Sequence, residues 1–459
     1  MDPGSLAEWS HQTGPVVPLL AVVTAVVCLA LRRRPTDVHR RGALIAAGRS
    51  AQRRALRERR RRGAAPLTLA GVAIAPRDET KHFKLIGTTG TGKSTAIAGL
   101  LHGALERGDR AVIADPDGGY LARFHRRRRG DVILNPFEPG SVKWNPFAEL
   151  AARWDAEQLA SGLIPGSEDA AGREWRGYAR TFVTAVTRRC QECGASDPAE
   201  LWRLLTVAGS HELRPIVAGT PAQPFLEPEN ARMFGSIRAV AASAVAALEH
   251  LAVQRGRPFS VREWVRGGRG VLFLPYRASQ IAALRSIIAT WMRLAIFEAM
   301  HGPGEDRRLW FVVDELDSLG AIEGLKDALA RLRKFGGRCV LGFQSVAQVS
   351  ATYGAGEAQT LVENCATTLI LRCAGSEHGG TSQFASRLIG EREVRRRQTA
   401  RGRDRESGWG RGARRSLQVS EHWVTETAVM ASELEQLPDL CGYLKTASSP
   451  AWLRVSFNP

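Results

Sequence analysis

Cysteine is sparse: seven are scattered along 459 residues, and only Cys190 and Cys193 stand close together. A zinc site needs four ligands, and no second pair lies nearby, so the two thiols read as a helix end in a reducing compartment. No internal repeat occurs, which excludes a repeat architecture. Acidic residues are the scarcer charge, 46 against 64 basic, for a net +18. That deficit is local. Residues 32–62 hold thirteen Arg against Asp37 and Glu58, and residues 391–415 hold ten Arg against four acids. The remainder is close to neutral, so basicity belongs to two segments and not to the whole fold. The apolar fraction, 44%, excludes a disordered chain, and the length allows two to four domains.

One run lacks charge altogether. Residues 15–31 (PVVPLLAVVTAVVCLAL) are apolar but for one Thr, at the short end of a membrane span. A signal peptide carries positive charge before its apolar core. Here Asp2 and Glu8 precede the run, and Arg32, Arg33 and Arg34 follow it. The positive-inside rule then predicts a single-pass membrane anchor, N-terminus outside and the rest in the cytoplasm. Residues 32–79 read as a basic juxtamembrane linker that is helical over 32–62, explained by topology and anionic lipid at least as well as by nucleic acid.

From residue 80 apolar strand-like runs alternate with helical stretches, which argues an α/β fold with a parallel central sheet. Strands are expected at 82–86, 110–114, 131–134, 270–274, 309–313, 338–342, 367–372, 442–445 and 451–457. Residues 151–262 break this rhythm. Trp175, Tyr178, Ala179, Phe182, Val183 and Val186 fall on one helical face, and Asp197-Pro198-Ala199-Glu200 supplies a helix start. The stretch reads as an inserted all-helical domain between two parts of a nucleotide-binding domain, 80–150 and 263–459. Its stripes, with Trp154, Trp175 and Trp202, read as core. Residues 391–415, rich in Arg and Gly, read as a mobile basic loop and as the best DNA-contact segment outside the membrane-proximal one.

Two motifs carry chemistry. Gly87-Thr88-Thr89-Gly90-Thr91-Gly92-Lys93-Ser94 follows a strand and precedes a helix, with Thr95 next. Its glycines let backbone N–H groups cradle phosphate oxygens at a helix N-terminus. Lys93 reaches the β- and γ-phosphates of ATP, and the Ser94 hydroxyl binds Mg²⁺. Further on, Leu309–Val313 is an apolar strand ending in Asp314-Glu315. An Asp there holds the Mg²⁺, and a Glu beside it can orient and deprotonate water. Gln344, at the tip of the next strand, is a candidate γ-phosphate sensor. Before that strand, Arg331, Arg333, Lys334 and Arg338 flank Gly336-Gly337, and a guanidinium there is placed to stabilise transition-state charge in trans.

Taken in order, GTTGTGKS (87–94), ADPDGG (114–119), KWNPF (143–147), VDELDSL (313–319), RKFGGRCVLGFQSVAQ (333–348), GEREV (390–394) and LPDL (437–440) resemble the conjugative type IV secretion coupling proteins, the TraD/TrwB kind. The resemblance implies a RecA-like P-loop fold with an inserted all-helical domain. It implies a hexameric ring on the inner membrane that pumps relaxase-bound DNA, without sequence preference, into a secretion channel. Lys93 and Ser94 match the phosphate loop, Asp314 and Glu315 the acidic motif, Gln344 the sensor, and Arg333 the arginine supplied to a neighbour. Many members carry two spans and some a long acidic tail; this sequence offers one span and ends soon after its last strands. The alternatives are an ATP-dependent receptor for protein secretion without DNA cargo, and a membrane-bound scaffold whose docking is switched by nucleotide. A chromosome pump of the FtsK kind is disfavoured by the lack of a winged-helix-sized module after the motor.

Overall fold

The structure is a computed structural model that describes residues 37–62, 66–166, 169–302, 307–376, 379–404 and 414–458. The expected membrane span at 15–31 lies outside the described residues. Among the described residues, no helix is long and apolar enough to cross a membrane.

The larger of two compact units comprises residues 45–389 and 429–459. Its sheet has ten strands. In chain order they are β1 (Ile45–Ala47), β2 (Phe83–Ile86), β3 (Arg110–Pro116), β4 (Val132–Ile133), β5 (Val271–Tyr276), β6 (Leu309–Val313), β7 (Gly337–Phe343), β8 (Thr367–Ile370), β9 (Cys441–Lys445) and β10 (Trp452–Ser456). Their spatial order is β1-β10-β9-β8-β2-β7-β6-β3-β5-β4. From β8 to β4 every pair is parallel. These seven strands need crossovers, and helices on both faces cover them, so β5, β6 and β7 are buried along their whole length. Their sequences accordingly run apolar without alternation. The sheet is nonetheless mixed and not purely parallel: β9 pairs antiparallel with both β8 and β10. The fold is an α/β RecA-like P-loop architecture with helical insertions.

The strand order has one consequence for chemistry. β2 feeds the phosphate loop and β6 ends in Asp314, yet the two are not neighbours; β7 lies between them. The carboxyl ends of all three therefore open on one edge of the sheet.

The helical block leaves the sheet after Lys143–Trp144 and returns at Pro258–Phe259, two short strands that pair in parallel. Glu149 pins this neck. Its carboxylate accepts from Trp144 Nε1 (2.8 Å), Ser260 Oγ (3.0 Å) and the backbone N–H groups of Val261 (2.6 Å) and Arg262 (3.1 Å). It thereby caps the helix Val261–Gly267, and the edge-on contact of Trp144 with Trp291 fixes the strand pair against the core. Within the block the helix Ala170–Glu192 buries Ala179, Phe182, Val183 and Val186 of the expected stripe, while Trp175 and Tyr178, like Trp202, are only half-buried. Trp154 departs from expectation: it stands at the start of the helix Asp155–Leu163, 65% exposed.

Among the described residues, the smaller unit comprises 37–44, 390–404 and 414–428. Here the reading of 391–415 as a loop is corrected. Glu391–Asp404 and Arg414–Thr427 form a long antiparallel hairpin, and Asp37–Gly42 joins as a third strand beside Glu391–Asp404. Arginine-rich strands escape a pattern search for apolar alternation, since cross-strand pairs such as Arg392 with Glu426 do the work. The expected helix over 32–62 is likewise narrower, spanning Arg49–Arg62 after two strands.

Candidate nucleotide site

The phosphate loop runs from the end of β2 into the helix Lys93–Glu106. Gly92 has φ +108°, and a Cβ there would sit 2.6 Å from Leu440 Cδ2, so only glycine fits. Neighbouring segments pin the loop. Thr88 N donates to Arg372 O (2.9 Å), and Leu440 N donates to Thr91 O (3.0 Å). Leu440 comes from the 437–440 turn, which Arg372 holds through Asp439 (2.7 Å).

Lys93 is buried and folds back so that Nζ donates to Gly87 O (2.6 Å) and Thr88 O (3.2 Å). Burial lowers its pKa, against the opposing pull of Asp314, Glu315 and Asp317. Ser94 Oγ donates to Asp314 Oδ2 (2.5 Å), as does Tyr120 OH (2.9 Å). Asp314 Oδ1 is buried without a hydrogen-bond partner. A carboxylate oxygen so placed, with a serine hydroxyl on its twin, fits a hard divalent cation. Burial, with Asp314 and Asp317 beside it, raises the Glu315 carboxyl above its ordinary range. Gln344 ties the two motifs together: its Oε1 accepts from Thr89 Oγ1 (2.8 Å) and its Nε2 donates to Glu315 Oε1 (3.1 Å). Thr89, Gly90, Gly92, Lys93, Ser94, Thr95, Asp314, Glu315 and Gln344 line one open cleft.

The close approach of β6 to β7 depends on Gly342, where a Cβ would meet Asp314 O at 2.2 Å. Leu316 N donates to Gly342 O (2.9 Å), so the same residue fixes the turn that aims Glu315. Three contributors went unread in the sequence: Tyr120, Gly342 and Leu440. Tyr120 directly follows ADPDGG, whose Asp115 accepts from the N–H groups of Tyr120 (3.0 Å) and Leu121 (2.7 Å) and so orients the helix that carries the phenol.

Arg333 is not in the cleft. It is exposed in the turn Arg333–Phe335, before β7, while Gln344 follows β7's other end. Seven residues at ~3.3 Å each put it roughly 20 Å from its own site. Arg338 is buried and committed: Nε donates to Glu79 Oε2 (2.9 Å), in a network with Arg107 and Asp109. It is therefore corrected as a reserve candidate for a donated arginine.

The family model for the type IV secretion-system coupling protein DNA-binding domain matches residues 66–458. The chain belongs to this family. It is similar to the coupling protein TraD of Escherichia coli (strain K12), 30% identical over 387 residues, which are 82% of this chain and 52% of that one. The match thus spans about half of TraD's own length. Among solved structures it is similar to the plasmid coupling protein TrwB in complex with ADP and Mg²⁺, at 30% identity and a TM-score of 0.78, covering 92% of this chain and 94% of that one. TrwB in complex with a non-hydrolysable ATP analogue gives 30% identity and a TM-score of 0.79, covering 93% and 95%.

Proposed function

We propose that this chain is a Mg²⁺-dependent ATPase that drives DNA, held by a relaxase, into a type IV secretion channel. The observation that carries the ATPase part is the bridge made by Gln344, from Thr89 in the phosphate loop to Glu315 at the end of β6. A single amide senses the loop and orients the base. In this reading Gly87 to Thr95 cradle the phosphates, and Lys93 moves from the Gly87 and Thr88 carbonyls to the γ-phosphate. Ser94 and Asp314 would hold Mg²⁺, which supplies charge neutralisation on the phosphate oxygens. Glu315 takes the proton of the attacking water; its raised pKa makes it a stronger base than an exposed carboxylate. Residues 80–150 and 263–459, less the hairpin of the smaller unit at 390–428, serve as one nucleotide-binding domain, with 151–262 as a helical insertion. The anchor is residues 15–31, in an inner membrane with the N-terminus outside. Working subunits form a homo-oligomeric ring, since head-to-tail contacts close into rings and Arg333 is too far from its own cleft to serve it; a hexamer is what the resemblance to the coupling proteins implies.

The family and its relatives support DNA as cargo, and ATP turnover measured with and without DNA tests it. Glu315→Gln should retain ATP and lose turnover by about 10²-fold or more, whereas Lys93→Ala should weaken binding and turnover together. Near-normal hydrolysis by the Gln variant would remove Glu315 as the base. Turnover indifferent to DNA would favour the protein-secretion receptor.

A further inference from the structure

The three-stranded sheet of the smaller unit has two unlike faces. Val394 on one face is 3% exposed. On the other, Val38, Arg395 and Trp423 lie in register across the three strands, and Val419 follows on the same side of its strand. These apolar side chains are not covered: Val38 is 45% exposed, Val419 39% and Trp423 49%. The guanidinium of Arg40 stacks 4.7 Å over the Trp423 ring. The strands together hold ten arginines against six carboxylates. A face with exposed valines, an indole and arginines, Arg395 on the central strand paired with Glu421 (3.3 Å) and Arg40 paired with Glu393 (3.1 Å), fits neither a sealed core nor a plain solvated surface. Indole and guanidinium together suit the headgroup layer of a bilayer, where the ring sits among glycerol backbones and the cation meets lipid phosphate.

Position in the chain favours the same occupant. The apolar run ends at Leu31, seven residues before Val38. At ~3.5 Å per residue the face lies within roughly 25 Å of that end. A nucleic-acid surface would stack bases on aromatic rings, but Arg40 already covers one side of the one exposed indole among the described residues of this sheet, and valines offer bases nothing specific.

We propose that the face built by Val38, Arg40, Arg395, Val419 and Trp423 docks on the anionic surface of the membrane, a second attachment beside the span. The inference rests on the reading of residues 15–31 as that span. The test uses the full chain reconstituted into vesicles of phosphatidylcholine alone, or mixed with phosphatidylglycerol, with lipids brominated near the headgroup as quenchers. Quenching of tryptophan fluorescence should exceed that of the Trp423→Phe protein in the anionic vesicles, and the excess should shrink severalfold in neutral ones. Exchanging Arg40 and Arg395 for Gln should shrink it likewise without altering ATP turnover. Alkaline carbonate separates the two ideas: a chain that it extracts has no span. A chain that resists extraction yet shows equal quenching with and without Trp423 keeps its anchor and overturns the docking face. If Trp423→Phe instead weakens oligonucleotide binding with lipid quenching unchanged, the face belongs to nucleic acid and the proposal fails.

Discussion

His82 is held in one protonation state by its two neighbours. Its Nε2 donates to Leu329 O (2.9 Å), while its Nδ1 accepts from Cys339 N (3.1 Å). Only the neutral ring with its proton on Nε2 satisfies both; a second proton would face the Cys339 N–H donor. Burial drives the pKa down from 6.5 to about 4, with Arg333 adding to the depression. Between those values the unfolded chain binds the proton and the folded one does not. Stability therefore falls as pH drops from about 6.5 toward 4, by on the order of 3 kcal/mol from this ring. Urea unfolding across that range should show the loss. His82→Asn, whose side chain tolerates the backbone's φ of 58°, should remove that part of the slope while lowering stability at neutral pH. An identical slope in the variant would assign the acid sensitivity to carboxylates elsewhere.

At the scale of elements, the neck of the helical block depends on one buried carboxylate. Glu149→Ala would strand an indole N–H, a hydroxyl and two backbone N–H groups, and should cost about 3 kcal/mol. The cut should also be visible to protease: faster nicking near residues 143–149 and 258–262, with β5 to β7 still protected. Uniform loss of protection would mean that the neck and the sheet unfold as one unit. The sequence showed the strands well because parallel, doubly buried strands are written as plain apolar runs, as in Leu309–Val313. The phosphate loop and Asp314-Glu315 were legible because their chemistry demands fixed residue types at fixed spacing. What escaped was pairwise. The Arg-rich hairpin is held by cross-strand ion pairs, Glu149 by three of its four donors from more than 100 positions away, and Tyr120 by a contact with Asp314 across 194 positions. No window along the chain contains both members of such a pair.

For the whole molecule, the two arginines before and in β7 should part company. Arg338→Ala removes one partner of buried Glu79 and should cost about 3 kcal/mol, read in thermal or urea unfolding. Arg333→Ala should fold normally, bind ATP, and hydrolyse it slowly in an oligomer, with a loss of up to about 10³-fold. Mixing Arg333→Ala with Lys93→Ala subunits should restore part of the activity, since an intact cleft on one subunit then meets an intact Arg333 on the next. Mixed oligomers that stay inactive would place the missing charge within the subunit.

Strand β7 is buried over all seven of its residues, hydrogen-bonded on both sides, with Gln344 just past one end and Arg333 just before the other. Such a strand behaves as a stiff bar. If the amide senses one nucleotide and the guanidinium serves the next, as proposed, a tilt imposed at Gln344 would reappear at Arg333. In a closed ring this would make the order of firing a property of a single strand: each subunit would carry the clock hand of its neighbour. Gln344→Ala should then lower the cooperativity of hydrolysis more than the affinity for ATP, and a steady-state Hill plot that keeps its slope in the variant would disconnect the two ends.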